Sequence, residues 1–186
     1  MAKLMYENRF ILTRKLHKEY FRFLFLTLQK KTRLAALLLA VAAFLLSGVL
    51  LFGLHSKAGA AIGLVFTAYF VYMFFYGYVF REWLQYRKLQ DEHGKAIVNI
   101  VKFNSDQVQV QVNKTSFSFK YSTIEQAYET EELIILILQK EGMAAHGQPL
   151  YKKSFGGQEA LEAFQKYLNQ KTGAELFTDA NVADTA

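Results

Sequence analysis

The sequence has 186 residues, 52% of them hydrophobic and 16% aromatic, with a formal net charge of +6. It contains no cysteine, which excludes disulfides, thiolate metal sites and cysteine nucleophiles. Residues 34–80 hold a single charge in 47 positions, too clumped for an ordinary soluble core. The positive balance is therefore first a topology signal, and nucleic acid is not an expected partner.

In chain order, residues 5–13 (MYENRFILT) place Tyr6, Phe10 and Leu12 on one alternating set and read as a short strand. To be stable it has to join a sheet formed later in the chain; the sequence leaves that pairing open. Thr13 can cap a helix from Arg14 in which Leu16, Tyr20, Phe23, Leu24 and Leu28 share a face. Residues 1–33 thus form a strand and a basic juxtamembrane helix. That helix either lies at the membrane interface or extends the first span into the cytoplasm.

Residues 34–54 and 58–80 are runs of 21 and 23 residues without a charge. At about 1.5 Å per residue each reaches across a hydrocarbon core of roughly 30 Å. Only His55, Ser56 and Lys57 separate them, so residues 34–80 read as a transmembrane helical hairpin. The first run begins behind nine Lys/Arg, unlike a cleaved signal peptide, and is expected in the mature protein. Basic residues crowd both flanks while the turn offers Lys57 alone, so a two-pass cell-membrane protein with both termini cytoplasmic is expected. Gly59 and Gly63 have G-x-x-x-G spacing and serve to pack the spans together or against another copy in a homo-oligomer. Neither run contains Asp, Glu, Lys or Arg, which argues against ion-coupled transport by this chain alone.

Residues 81–95 continue the second helix as a linker, with Gly94 as its stop. The period then changes to two. Residues 97–103, 107–112, 116–121, 124–130 and 133–138 read as strands of an antiparallel sheet, the last apolar on both faces and therefore central. Residues 141–148 form a loop, 150–155 a last strand, and 158–170 a helix whose Leu161, Phe164 and Leu168 cover the sheet. Residues 96–173 make one cytoplasmic sheet domain closed by a C-terminal helix, and 174–186 a disordered tail. The fold class is membrane α+β.

The order of parts, with Tyr121-Ser122-Thr123-Ile124, Tyr128-Glu129-Thr130, the apolar 133–138 and Pro149-Leu150-Tyr151-Lys152-Lys153-Ser154-Phe155, resembles the YcxB-like family of bacterial membrane proteins. The resemblance runs to about Lys171. It implies a membrane-tethered relative of pleckstrin-homology-like domains and implies no activity.

Candidates for chemistry are few. His17, His55, His93 and His146 are scattered and read as surface histidines, with no metal-ligand spacing between them. Glu129, Glu131 and Glu132 read as a solvated turn. No phosphate-cradling glycine loop, G-x-S-x-G or H-E-x-x-H occurs, and neither enzyme activity nor a cofactor is expected. Lys152 and Lys153 are the most suggestive polar pair, able to touch anionic headgroups at about 1 kcal/mol each. Strand alternation would send them to opposite faces, and the competing reading is a solvated strand end. Together these features point to a membrane-anchored, non-enzymatic cytoplasmic binding or regulatory module that meets the bilayer and either a protein segment or headgroups. The alternative is a structural or accessory subunit whose hairpin oligomerises.

Overall fold

The computed structural model describes residues 3–94, 96–138, 146–173 and 175–179. The chain divides into two compact units, Phe21–Leu84 and a second made of Met1–Tyr20 with Gln85–Ala186.

The first unit holds the end of α1 (Arg14–Leu28), all of α2 (Lys30–Gly48) and most of α3 (Lys57–His93). Gln29, at φ −102° and ψ 27°, breaks α1 from α2, so the basic segment is a separate helix rather than a straight extension of the first span. Both α2, with its widened final turn Val49–Gly53, and α3 are long and apolar enough to cross a membrane. Their contact surface is rich in small groups: Ala40, Ser47 and Ala60 are buried, Leu50 reaches Gly59, and most leucines and phenylalanines stay exposed. Two aliphatic hydroxyls here bond within their own helices, Ser47 Oγ to the Ala43 carbonyl at 2.7 Å and Thr67 Oγ1 to the Gly63 carbonyl at 2.9 Å. These two hydroxyls are thereby satisfied without solvent. At the charged end of the pair, the Arg33 guanidinium lies 5.0 Å from the Phe74 ring centre and donates to the Leu26 carbonyl at 3.4 Å.

The second unit contains two four-stranded sheets, where the sequence suggests one. The first has the order β1 (Leu4–Ile11), β2 (Val98–Asn104), β3 (Gln107–Val112) and β4 (Thr115–Lys120), antiparallel throughout. The N-terminal strand does join the later sheet, with Ile11 opposite Val98 and Tyr6 opposite Phe103. Tyr121–Thr123, expected to continue a strand at Tyr121, is instead a 3-10 turn that carries the chain to the second sheet. Tyr121 fixes the corner: its hydroxyl donates to the Asn104 carbonyl at 2.7 Å and meets Tyr167 Oη at 3.0 Å. Burial, then the Tyr167 hydrogen bond, raises its pKa and keeps the phenol protonated.

The second sheet comprises β5 (Ile124–Glu129), β6 (Leu133–Leu138), β7 (His146–Tyr151) and β8 (Phe177–Asp179), in the order β7-β6-β5-β8. Strand β6 is central and fully buried on both faces from Leu133 to Leu136, as its unbroken apolar run demands. Beyond β7, residues Lys152–Phe155 form a 3-10 turn where the sequence suggests continued strand. Helix α4 (Gln158–Thr172) then covers the core. Phe164 sits at its centre, with ring centres 4.5 Å from Phe155, 4.8 Å from Phe103 and 5.5 Å from Tyr6. Residues 177–179, within the stretch expected to be disordered, pair in parallel with β5. Of the expected loop at 141–148, residues 141–145 lie outside the described residues, and 146–148 belong to β7.

Besides the shared apolar core, a polar side chain joins the two sheets. Asn8, buried in β1, donates from Nδ2 to the Tyr151 carbonyl at 2.9 Å and accepts from the Tyr151 N–H at 3.0 Å. Its amide takes the place of a neighbouring strand's backbone at the end of β7.

Candidate binding surfaces

Lys152 and Lys153 lie next to each other on the 3-10 turn, so strand alternation does not part them. Each has an acidic partner: Lys152 Nζ is 2.6 Å from Glu129 Oε1, and Lys153 Nζ is 3.7 Å from Glu132 Oε1. Glu129 also accepts from Gln165 Nε2 of α4 at 3.1 Å. Glu132 also takes Lys15 Nζ of α1 at 2.9 Å. Beside it, Glu19 Oε1 accepts from Thr130 Oγ1 at 2.6 Å and from the Glu132 N–H at 3.0 Å, while Tyr20 Oη donates to the Gly147 carbonyl at 2.5 Å. The acidic turn is therefore a structural seam between α1, β5, β6 and the turn after β7. Its hydrogen bond from Lys15 holds the Glu132 carboxyl below its ordinary pKa, and the same bond raises that of Lys15. No sequence spacing reveals these pairs, because the partners come from distant parts of the chain.

Gly59 and Gly63 face α2 within the chain. A Cβ on Gly63 would collide with the Ser47 side chain, and one on Gly59 would lie 3.3 Å from Leu50 Cδ1. Within the single chain, this G-x-x-x-G lies where α3 meets α2.

The histidines do not converge. His17 is buried, against the surface expectation, with its ring 5.1 Å from Tyr86. His55 sits in the α2–α3 turn at φ 52°, His146 opens β7, and the His93 side chain lies outside the described residues. Among the described residues no three His, Asp or Glu side chains gather as a metal site.

Two strand edges bear on binding. Strand β4 ends the first sheet with β3 on one side, and its residues are exposed except Phe119; Phe117 keeps 49% of its surface. An exposed edge with a large apolar side chain is a template for a further strand. The outer edge of β5 carries the chain's own residues 177–179.

Residues 103–168, from the end of β2 to near the end of α4, match the family model described as YcxB-like protein. No curated protein and no solved structure matches the chain.

Proposed function

From the premise that residues 103–168 are YcxB-like, we propose that this chain is a membrane-anchored, non-enzymatic binding or regulatory module. In this reading α2 and α3 cross the cell membrane as a hairpin, with both termini cytoplasmic and the His55–Lys57 turn outside. The outward-pointing apolar side chains and the basic residues at the termini-facing ends support it. The sheet unit is read as pleckstrin-homology-like. Its support is the order of parts: a four-stranded meander β1–β4, a three-stranded meander β5–β7, then a covering helix.

The observation that carries the reading is the pairing of β1 with β2. These are hydrogen-bonded neighbours along seven residue pairs, yet the whole hairpin lies between them in sequence. An anchor inserted between adjacent strands of a sheet cannot be lost without opening that sheet. The module binds by adding a protein segment to the β4 edge, where alternate side chains give specificity and the main chain gives affinity. Glu129 already holds Lys152, which favours a protein segment over anionic headgroups.

The test is crosslinking in native membranes followed by mass spectrometry, comparing the chain with a variant carrying Phe117→Asp and Ser118→Pro. A partner present with the first and lost with the second is the expected result. Partners that persist unchanged would remove the β4 edge from the reading and shift attention to the hairpin.

A further inference from the structure

Residues 34–52 expose no side-chain hydrogen-bonding group, because their one hydroxyl, Ser47, is buried and bonded within its helix. Helix α3 differs. Its buried face runs through Ala60, Gly63 and Gly77, and the face turned away from these carries Ile62, Val65, Tyr69, Tyr72 and Tyr76. Spacings of three and four residues in strict alternation keep the five on one stripe. Each keeps between 48% and 69% of its surface exposed. The Tyr69, Tyr72 and Tyr76 hydroxyls have no hydrogen-bond partner among the described residues. The rings of Tyr72 and Tyr76 stack, with centres 5.6 Å apart and planes at 29°.

Depth makes these hydroxyls significant. Tyr69 is the twelfth of the 23 uncharged residues 58–80, the middle of the run. Either end lies about 16 Å away along the helix, farther than a tyrosine side chain reaches. Helical side chains also lean towards the N-terminus of their own helix, so Tyr72 leans back towards the middle rather than towards Arg81. An unpaired O–H in hydrocarbon is costly, and a lipid tail offers it no acceptor. A phenol, however, both donates and accepts. Two copies inserted in the same sense, related by a two-fold axis along the membrane normal, set each residue of the stripe against itself. Paired tyrosines then satisfy one another, and the alternation of three and four is the period at which two parallel helices stay in contact. The stripe is self-complementary in chemistry and in spacing, which selects a second copy as its occupant.

We propose that the Tyr69–Tyr72–Tyr76 stripe of α3 is the interface of a parallel homodimer within the membrane, its hydroxyls hydrogen-bonded across the two-fold axis to the same tyrosines of a second copy. The Gly59–Gly63 face, which meets α2 in the same chain, is separate from this interface. The proposal rests on reading α2 and α3 as membrane-spanning and goes beyond it by giving the hairpin a partner. Because both copies insert in the same sense, the pair carries its two sheet units, and so two β4 edges, on one membrane face.

The chain has no cysteine of its own, so single cysteine substitutions test this directly. Ile62→Cys and Val65→Cys lie on the stripe and leave the three tyrosines intact, while Leu64→Cys and Leu38→Cys are exposed controls off it. Oxidation by copper phenanthroline in native membranes should give disulfide dimers at the two stripe positions at least about fivefold above the controls, since the bond forms only between closely facing residues. Tyr69→Phe with Tyr72→Phe keeps the rings and removes the hydroxyls, and should lower the Val65→Cys dimer about fivefold. Equal crosslinking at all four positions is the result expected of a face that meets only lipid, and it overturns the proposal. So does stripe-selective crosslinking that the phenylalanines leave unaltered. A stripe-specific product whose mass is not twice that of the chain would make the occupant another protein and overturn the second copy. Lys57→Cys, labelled from outside by a membrane-impermeant maleimide, tests the spanning reading separately, and the same label on the phenylalanine variant shows that its hairpin inserts. Label without stripe-selective dimers sinks the pairing alone; no label sinks the reading beneath it as well.

Discussion

Residues Leu133–Leu138 and the leucine-rich middle of α2 are both runs of aliphatic side chains, and their surroundings are opposite. In β6, Leu133 to Leu136 have no exposed surface, whereas Leu38 of α2 keeps 61% and Phe52, just beyond it, 78%. The sheet unit turns most of its large side chains inward. The helix pair buries alanine, serine and glycine and turns its large side chains outward. Hydrophobicity alone does not separate these regions; length does. Six residues of strand must be covered by other parts of the protein, while helices of this length can leave the task to lipid.

That contrast is broken most sharply by removing a large side chain from each region. Phe164→Ala should destabilise the sheet unit by about 3–5 kcal/mol, the cost of an aromatic lost from a packed core. Phe52→Ala should leave its stability unchanged. Hydrogen exchange of β2 and β6 amides measures both, and similar losses from the two would erase the distinction. Asn8→Ala is next. It strands the Tyr151 N–H and carbonyl, at a cost of about 2–3 kcal/mol, and exchange should quicken first at the β7 end rather than in β3. Gly63→Leu acts in the helix pair by pushing against Ser47, at on the order of 1–2 kcal/mol of overpacking. Proteolysis in micelles should then cut the α2–α3 turn faster, with β6 protection unaltered.

The smallest effect is a pH dependence at the seam. The Glu132 pKa is lowered in the folded state, so its contribution is present above the ordinary value of 4.5 and is lost as pH falls through the depressed one. The Lys15 pKa is raised from 10.5, so its contribution is present below that value and fades as pH rises through the raised one. Glu132→Gln should flatten the acid limb of a thermal-melt profile and also the alkaline limb, whereas Lys153→Gln should change neither much, its contact being longer and exposed.

Much of this was legible in residue order. The uncharged runs gave the helix pair, the alternation of Val108, Val110 and Phe119 gave strands, and the YcxB-like segment was recognisable from its turn and strand residues. What stayed hidden depends on partners far along the chain. Tyr121 fits a strand by period, and only its bond to Asn104 makes it a corner. Lys152 and Lys153 look free until Glu129 and Glu132 are set beside them. A three-residue strand such as β8 is too short to show any periodicity.

The register of β1 against β2 has a consequence for biosynthesis. β1 leaves the ribosome first, but its hydrogen-bonding partner does not exist until α2 and α3 have been made. Closing so long a loop is slow compared with local pairing. Until then Tyr6 has no Phe164 to pack on, and Asn8 has no Tyr151 to bond. The sheet therefore completes only after both helices have been synthesised.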